Sequence, residues 1–355
     1  MKIMKTKYPM ISIVISNYNG VKLGILKDCL KSFINKMDYP NYELILVDND
    51  SKDNSIKVSQ RIFGKNPRCK IVQNPVNAYS QGLNLGLAAA KGEYVAYFGN
   101  DTALEKNHFT NLIKAFARYP KLALAQGKVL MYYDHSIIDS VGESIDIFGN
   151  PVTTGYKAKD EGQYESDEEI LSATGTACIL KKSALKKVGN FDPSYGIGYE
   201  DIDLALRIRL QGFQVMRIPS AICYHKKGGT DLSPMVRVRV KWTFNKNRIS
   251  TMIKNYPLPL LFRTLPVTVF IYLGIMIWDL VINRDFKLAM TRPLALIWLV
   301  FHTPSLLKAR ADIRSQASNA TDEKMLKFFA PADIFGKIKA VFMDKFINKN
   351  SSHIR

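Results

Sequence analysis

Through its first 120 residues the chain alternates between short apolar runs and stretches whose apolar residues recur every three or four positions. The short runs predict buried strands over 11–16, 42–47, 69–73 and 94–98. The other stretches predict amphipathic helices over 23–34, 56–63, 83–90 and 109–116. Strands that are connected through helices form parallel sheets with right-handed crossovers. We therefore predict an α/β fold with a doubly wound, mostly parallel sheet and a Rossmann-like nucleotide-binding half.

The pattern becomes less regular between residues 131 and 169, where Gly, Asp and Ser recur. Beyond it, apolar runs predict strands over 172–180, 215–218 and 221–224, and a helix over 199–211. From this change of pattern we predict one domain over 1–230, divided into halves at 8–130 and 131–230. A basic, helical C-terminal region is predicted over 231–355.

Charge and apolar length together distinguish that C-terminal region. From Lys226 to the end there are 22 basic and 8 acidic residues, so this part carries +14 of the net charge of +19. Its longest uncharged runs, 264–278 and 294–301, are shorter than the roughly 20 residues of a spanning helix, which favours an interfacial hairpin or a short re-entrant pair. A basic amphipathic helix is predicted over 334–346. We expect this region to bind an anionic membrane surface as a peripheral or monotopic attachment.

Other features of the composition exclude several classes of protein. The basic excess accompanies long aliphatic runs rather than interleaved aromatic residues, so we predict no nucleic-acid binding. The four cysteines are isolated, which argues against structural zinc and a disulfide framework. The N-terminal MKIMKTKYPM does not resemble a signal peptide, and we expect the chain on the cytoplasmic side of the cell membrane.

Polar residues follow the ends of four predicted strands. These segments are Ser16-Asn17-Tyr18-Asn19-Gly20, Asp48 to Asp53, Asn74-Pro75-Val76-Asn77 with the turn at Gly82, and Asn100-Asp101. Taken alone, Asp101 could equally well cap the helix that follows it. Because the carboxyl ends of parallel strands share one edge, the four segments together predict a nucleotide site there. Neither a GxGxxG motif nor a P-loop is present, which disfavours a dinucleotide-binding protein or an NTPase.

The order of these and later motifs resembles the family 2 glycosyltransferases of the GT-A fold over about residues 8 to 250. The motifs are ISIVISNYNG, LILVDNDSKDNS, NPVNAYSQGLNLGLAAAKGEYVAYFGNDT, SATGTACILKKSALKKVGNFDPSYGIGYEDIDLALRIRLQGF and YHKKGGT. Bacterial and archaeal rhamnosyltransferase-like members are the most similar. The resemblance implies a UDP-, GDP- or dTDP-sugar donor, Mn²⁺ or Mg²⁺ at the diphosphate, and inversion at the anomeric carbon.

The resemblance also implies roles for residues on the donor side. Asp48 would read the nucleobase, and Asp101 matches the last acid of the metal-binding DxD motif, with His225 as a further metal or diphosphate contact. Gly99 stands at the first position of that motif, so one carboxylate rather than two is expected at the metal. The other residues implied in nucleotide-sugar binding are Ser16, Asn17, Tyr18, Asn19, Asp53, Asn77, Gly82 and Asn100.

On the acceptor side, the resemblance implies that Asp201 is the general base and that Glu200 orients it or binds the acceptor. Gly175 and Thr176 would border the sugar and the acceptor, and Asp203 would support the helix or pair with Arg207. The implied acceptor is a lipid-linked or cell-surface glycan, and a homo-oligomer is possible. Two alternatives stay open: a non-catalytic nucleotide-sugar-binding module, and a sugar-phosphate nucleotidyltransferase, although SNYNG lacks the basic residues expected of the latter.

Overall fold

The computed structural model describes residues 8–227, 234–315 and 317–332. In the first half the strands are β1 (Ile11–Asn17), β2 (Tyr42–Asn49), β3 (Cys69–Asn74), β4 (Tyr94–Gly99), β5 (Thr102–Leu104) and β6 (Leu122–Met131). The helices of this half are α1 (Leu26–Asn35), α2 (Ser55–Phe63), α3 (Tyr79–Ala89) and α4 (His108–Arg118). The predicted alternation of strands and helices is therefore present, although the first helix begins three residues later than predicted.

The second half adds shorter elements. The strands are β7 (Ile138–Ser140), β8 (Glu143–Ile145), β9 (Pro151–Thr153), β10 (Glu168–Glu169), β11 (Ala177–Lys181) and β12 (Gln214–His225). The helices are α5 (Lys182–Val188) and α6 (Glu200–Leu210), with a 3₁₀ turn over Pro193–Tyr195. The main sheet has the order β10-β12-β6-β11-β4-β1-β2-β3. Strands β1, β2, β3 and β4 are parallel to one another, whereas β11 is antiparallel to both of its neighbours, β4 and β6.

Two strands differ from the sequence prediction for identifiable reasons. Strand β6 was not predicted because Gln126 and Lys128 interrupt its apolar pattern, yet both side chains are buried and hydrogen-bonded. The two strands predicted on either side of Pro219 form the single strand β12, with a register shift between Ile218 and Ile222. A proline, which lacks a backbone N–H, is tolerated at such an irregularity.

Helices cover both faces of the sheet. One apolar layer contains Phe33 of α1 and Phe109 of α4, and the opposite layer contains Leu83 of α3 and Leu204 of α6. Helix α3 approaches the sheet closely because its inward positions are small. A Cβ atom at Gly86 would lie 2.3 Å from Val14 Cγ1 of β1, so only glycine allows this distance.

The C-terminal helices are α7 (Pro234–Asn255), α8 (Leu258–Val281), α9 (Phe286–Arg314) and α10 (Asn319–Leu326). The uncharged run over 264–278 lies within α8, whose 24 residues include flanking turns that the sequence did not assign to it. By length and composition α8 could cross a membrane. The predicted interfacial hairpin or re-entrant pair stays a prediction. The basic amphipathic helix predicted over 334–346 lies outside the described residues.

The helices beyond residue 230 pack against the second half of the sheet domain. One hydrophobic cluster joins Tyr199 and Leu206 to Met252, Tyr256 and Met325. The division of the chain at residue 230 therefore stays a prediction, drawn from composition, and the packing is continuous across it. Exposed apolar side chains cover the outer side of α8 and α9, among them Phe262, Phe270, Val300 and Phe301.

Candidate active site

A ladder of side-chain amides crosses the carboxyl edge of the sheet. Asn17, at the end of β1, donates from Nδ2 to Asp48 Oδ1 at 2.8 Å. Asn100 follows β4 and donates from Nδ2 to Asn17 Oδ1 at 2.7 Å. All three side chains are buried, so each polar group must find its hydrogen-bond partner within the protein. The structure thus brings together the predicted residues of three separate segments.

The same ladder continues through Asn49 and Asn74, which belong to the predicted polar segments but were not assigned individual roles. Asn49 donates from Nδ2 to Ser16 Oγ, and Asn74 donates from Nδ2 to Asn49 Oδ1, both at 2.9 Å. Gly82 lies above Asn49, since an added Cβ would be 2.2 Å from Asn49 Oδ1. Gly82 therefore allows α3 to approach the sheet edge, and its predicted contact with the nucleoside or sugar stays a prediction.

Asp48 lies beneath the surface of this edge rather than on it. Asp48 is only 2% exposed, and its Oδ2 accepts a hydrogen bond from the Ser51 backbone N–H at 3.0 Å. In this arrangement Asp48 orders Asn17 and the loop after β2. The predicted contact of Asp48 with the nucleobase stays a prediction.

The loops after β1 and β2 are joined by hydrogen bonds. The Asn19 backbone N–H donates to Ser51 Oγ at 2.8 Å, and Asp53 Oδ2 accepts from the Lys22 backbone N–H at 2.8 Å. Tyr18 is partly exposed beside them, and Asn77 is exposed where the chain passes from β3 to α3. These four predicted residues therefore follow the carboxyl ends of three adjacent strands.

Asp101 and His225 meet at the end of β12, although 124 residues separate them. His225 Nε2 lies 3.1 Å from Asp101 Oδ2, and His225 Nδ1 lies 2.6 Å from Asp139 Oδ2. Burial alone would lower the pKa of His225, but the hydrogen bonds and charges of Asp101 and Asp139 raise it to about 9. Asp139 also pairs with Lys227 at 2.7 Å. The sequence did not indicate Asp139, because it lies in the stretch without regular patterning.

This pair of side chains fits a divalent metal that is shared with a bound diphosphate. No cluster of three or more His, Cys, Asp or Glu ligands occurs in the part of the chain that the structure describes. Asp101 and His225 would therefore provide two ligands, and the remaining oxygens would come from phosphate and water, as Mg²⁺ and Mn²⁺ allow. Asp139 stands behind His225, where metal-binding histidines usually have a carboxylate partner.

Glu200 and Asp201 form the first turn of α6. Tyr199, just before them, has a left-handed backbone with φ of 70°, which turns the chain sharply into the helix. Asp201 Oδ2 accepts from the Gly175 N–H at 2.9 Å, and burial raises the pKa of Asp201. Glu200 is 4% exposed, and burial and the charge of Asp201 raise its pKa well above the usual range. Glu200 and Asp201 together therefore bind a first proton more tightly than two isolated carboxylates would.

Two further features of this acid pair were not evident in the sequence. Glu200 Oε2 is buried and has no hydrogen-bond partner among the described residues. Glu143, in β8, has a pKa that is raised by burial and then by the charge of Asp201. Asp201, Glu200 and Glu143 thus share one buried pocket, which makes Asp201 a better proton acceptor than an exposed carboxylate would be.

The loop over 174–176 connects the two halves of the site. The Gly99 backbone N–H donates to Thr176 O at 3.1 Å, and the Gly175 N–H binds Asp201 as described above. The Tyr79 hydroxyl donates to Gly175 O at 3.1 Å and secures the loop from α3. Residues 172–176 were predicted to be part of a strand, but they form this loop and β11 begins only at Ala177.

Helix α7 holds the segment that leads into α6. Asn247 Nδ2 lies within hydrogen-bond distance of the carbonyl oxygens of Tyr195, Ile197 and Gly198, at 2.8, 3.1 and 2.7 Å. The expected pairing of Asp203 with Arg207 is present at 2.9 Å. Asp203 also pairs with Lys254 of α7 at 2.9 Å. The position of the acid pair therefore depends on a helix that lies about 50 residues farther along the chain.

Comparison with known proteins identifies relatives of this chain. The family model described as glycosyl transferase family 2 matches residues 12–189, which is half of the chain. The poly-beta-1,6-N-acetyl-D-glucosamine synthase of Staphylococcus epidermidis is 27% identical over 237 residues, which are 65% of this chain and 53% of the synthase. The alignments span 26% and 53% of the lengths of two curated relatives, so the chain covers only part of them.

Solved structures show the same fold at low sequence identity. The mannosyltransferase PcManGT from Pyrobaculum calidifontis, in complex with GDP-Man and Mn²⁺, is 18% identical with a TM-score of 0.51, over 91% of this chain and 84% of that one. GalNAc-T7 with UDP, GalNAc and Mn²⁺ is 15% identical with a TM-score of 0.59, over 85% of this chain and 58% of that one. The predicted GT-A fold is confirmed, and the likeness to rhamnosyltransferases stays a prediction.

Proposed function

The chain belongs to glycosyl transferase family 2, and from this premise we propose that it transfers a sugar from a UDP-, GDP- or dTDP-sugar to a hydroxyl of a lipid-linked or cell-surface glycan, with inversion. One observation supports this proposal most directly. The loop over 174–176 accepts a backbone hydrogen bond from Gly99, at the end of the strand that leads to Asp101, and its Gly175 N–H donates to the carboxylate of Asp201. A donor at the sheet edge and an acceptor beside α6 would therefore meet at this loop.

In the proposed reaction Asp201 accepts the proton of the acceptor hydroxyl as that oxygen attacks the anomeric carbon. The Gly175 N–H fixes one oxygen of Asp201. Burial and the charge of Asp201 raise the pKa of Glu200 well above the usual range, which disfavours its ionised, nucleophilic form and favours a carboxyl group that donates a hydrogen bond to the acceptor. One ionised base without a second nucleophilic carboxylate agrees with direct inversion, since double displacement requires two carboxylates in separate roles.

Asp101 and His225 would hold the Mn²⁺ or Mg²⁺ that the family implies. When bound, such an ion stabilises the negative charge on the departing diphosphate. Asp139 fixes the orientation of the His225 ring through Nδ1, and it attracts Lys227 to the same place. Lys226 donates from its backbone N–H to Asp101 O at 2.8 Å, which keeps the two strand ends together.

Replacing Asp139 with Asn tests this arrangement of the metal ligands. The amide keeps the shape of the side chain but removes the charge behind His225. We expect the affinity for Mn²⁺, measured by electron paramagnetic resonance in the presence of the nucleoside diphosphate, to fall by roughly 10- to 100-fold. Asp134→Asn, an exposed change in the same segment, should leave the affinity unaltered. Equal affinities in the wild type and Asp139→Asn would remove Asp139 from the metal site.

Attachment to the cytoplasmic face of the membrane is part of the same proposal. The exposed apolar side chains of α8 and α9 and the basic excess of the C-terminal region support it, because stable attachment combines apolar insertion with attraction to anionic lipid. Such a position would bring Asp201 close to a lipid-linked acceptor.

A screen of donors tests the proposed function. The full-length protein would be supplied with a lipid extract as the source of acceptor and with UDP-, GDP- or dTDP-sugars in turn, and release of the nucleoside diphosphate would be measured. We expect one nucleotide class to be used, with release that depends on both the extract and Mn²⁺. If no donor gives release above that without the extract, the non-catalytic alternative is preferred.

A further inference from the structure

A cavity of about 740 Å³ lies at the junction of α8, α9 and α10, away from the active site. The first turns of α8 and the last turns of α9 form two of its walls, and α10 forms the third. Leu258, Leu260, Leu307 and Leu326 line its apolar part. Its volume lies within the range of about 300–1,000 Å³ that ligand pockets occupy.

The polar part of this junction cavity is basic. Arg263, Arg310 and Arg314 line it together with Asp322 and Glu323. Arg314 is neutralised by Asp322, with two contacts at 2.5 and 3.0 Å.

Arg310 is only 9% exposed, and the partner of its guanidinium is the carbonyl oxygen of Ile253 at 2.6 Å. Neither Arg310 nor Arg263 forms an ion pair with a carboxylate in residues 8–227, 234–315 or 317–332. A buried guanidinium that lacks an anionic partner favours an anion in the adjacent space. Of the two acids that line the cavity, Asp322 pairs with Arg314, and Glu323 is exposed on α10.

An apolar surface continues outward from the cavity. Leu258 and Leu307, at its edge, are exposed on the outside of the helix pair, as are Phe270 at 76% and Phe301 at 78% farther along. The first of these helices, α8, could cross a membrane by length and composition. A ligand with a phosphate at the arginines could therefore lay hydrocarbon chains along the outer side of α8 and α9.

We infer that the junction cavity binds the phosphate group of an anionic phospholipid, with Arg263 and Arg310 as the phosphate contacts and the leucines around its acyl chains. This inference rests on the proposed membrane attachment. It goes beyond that attachment because it assigns one defined lipid-binding site, in addition to the general attraction of the basic region to an anionic membrane. A free phosphate would contact the same arginines, but it would leave the leucine lining exposed to water.

Vesicle binding by the full-length protein tests this site. Affinities for phosphatidylglycerol and phosphatidylcholine vesicles would be compared in the wild type and in the double variant Arg263→Gln/Arg310→Gln. Each basic residue at an anionic surface contributes about fivefold, so we expect the preference for phosphatidylglycerol to fall roughly 25-fold. Arg263→Gln alone should lower the preference for phosphatidylglycerol about fivefold. Because Arg263 is exposed, this variant should fold normally, and its thermal unfolding midpoint would check that.

The control variant removes the same charge from the opposite end of the helix pair. Arg284→Gln/Lys287→Gln changes two exposed residues where α8 connects to α9, about 30 Å from Arg263 at 1.5 Å per helical residue. Its preference for phosphatidylglycerol should fall clearly less than that of Arg263→Gln/Arg310→Gln, because Arg284 and Lys287 do not line the junction cavity. An equal loss in both double variants, or a wild type without preference, would overturn the defined site, whereas a wild type that binds neither vesicle would also overturn the membrane attachment. Stabilisation of the wild type by inorganic phosphate alone, as large as that by phosphatidylglycerol, would show that the ligand is not a lipid.

Discussion

Asp201→Asn should reduce kcat by about 10²- to 10⁴-fold while the affinity for the nucleoside diphosphate stays unchanged. A positioned general base contributes a factor of this size, and an amide cannot take the proton of the acceptor. The hydrogen bond from the Gly175 N–H can persist, because the amide oxygen of Asn can accept it in place of Asp201 Oδ2. Turnover would be measured with the donor found by the screen, and nucleotide binding by calorimetry.

Glu200→Gln provides the matched comparison for this prediction. Glu200 precedes Asp201 and is more deeply buried, and burial and the charge of Asp201 raise its pKa well above the usual range. Because Gln resembles the protonated acid, we expect a loss in kcat that is smaller than that of Asp201→Asn. If Glu200→Gln abolishes turnover and Asp201→Asn retains it, the roles of the two residues must be exchanged.

Asp203→Ala should be the most destabilising single change among those considered. Asp203 is fully buried and contacts Arg207, Lys254 and Asn255 at 2.9, 2.9 and 3.0 Å. Its removal leaves two buried cations with fewer anionic partners, an effect of about 3–5 kcal/mol. We expect the thermal unfolding midpoint to fall by roughly 5–15 °C.

The pH dependence of this effect gives a second readout. Burial alone would raise the pKa of Asp203, but the charges of Lys254 and Arg207 hold it well below its usual range. The stabilisation is therefore present above about pH 4 and is lost as the pH falls towards the pKa of the folded state. Arg118→Ala, which breaks an exposed ion pair with Asp167, should change the midpoint by no more than about 1–2 °C. Equal effects of the two substitutions would contradict a structural role for the Asp203 cluster.

The sequence predicted best those elements whose hydrophobic pattern matches the burial of their side chains in the fold. Strands β1 and β4 are buried on both faces, so their apolar runs are continuous and bounded by polar turns. Strand β6 is equally central, but Gln126 and Lys128 point to buried partners that come from distant segments. A local hydrophobic pattern cannot indicate a strand whose polar side chains are satisfied through tertiary contacts.

The same limit applies to the candidate site. Asn17, Asp48, Asn100 and Asp101 were found because each follows a strand that could be predicted. Asp139 was missed because its partner, His225, lies 86 residues away and becomes its neighbour only through the pairing of β7 and β12 with β6. Asn247 was missed for a similar reason, since its partners are backbone carbonyl groups, which no side-chain motif marks.

The stereochemistry of the product tests the proposed direct displacement most directly. The anomeric configuration of the transferred sugar would be determined by nuclear magnetic resonance, from the one-bond carbon–hydrogen coupling at C1, with the donor identified by the screen. A single base at Asp201, without a second carboxylate that acts as a nucleophile, predicts a configuration opposite to that of the donor. A product that retains the configuration of the donor would contradict the assignment of Asp201 as a general base in a one-step transfer.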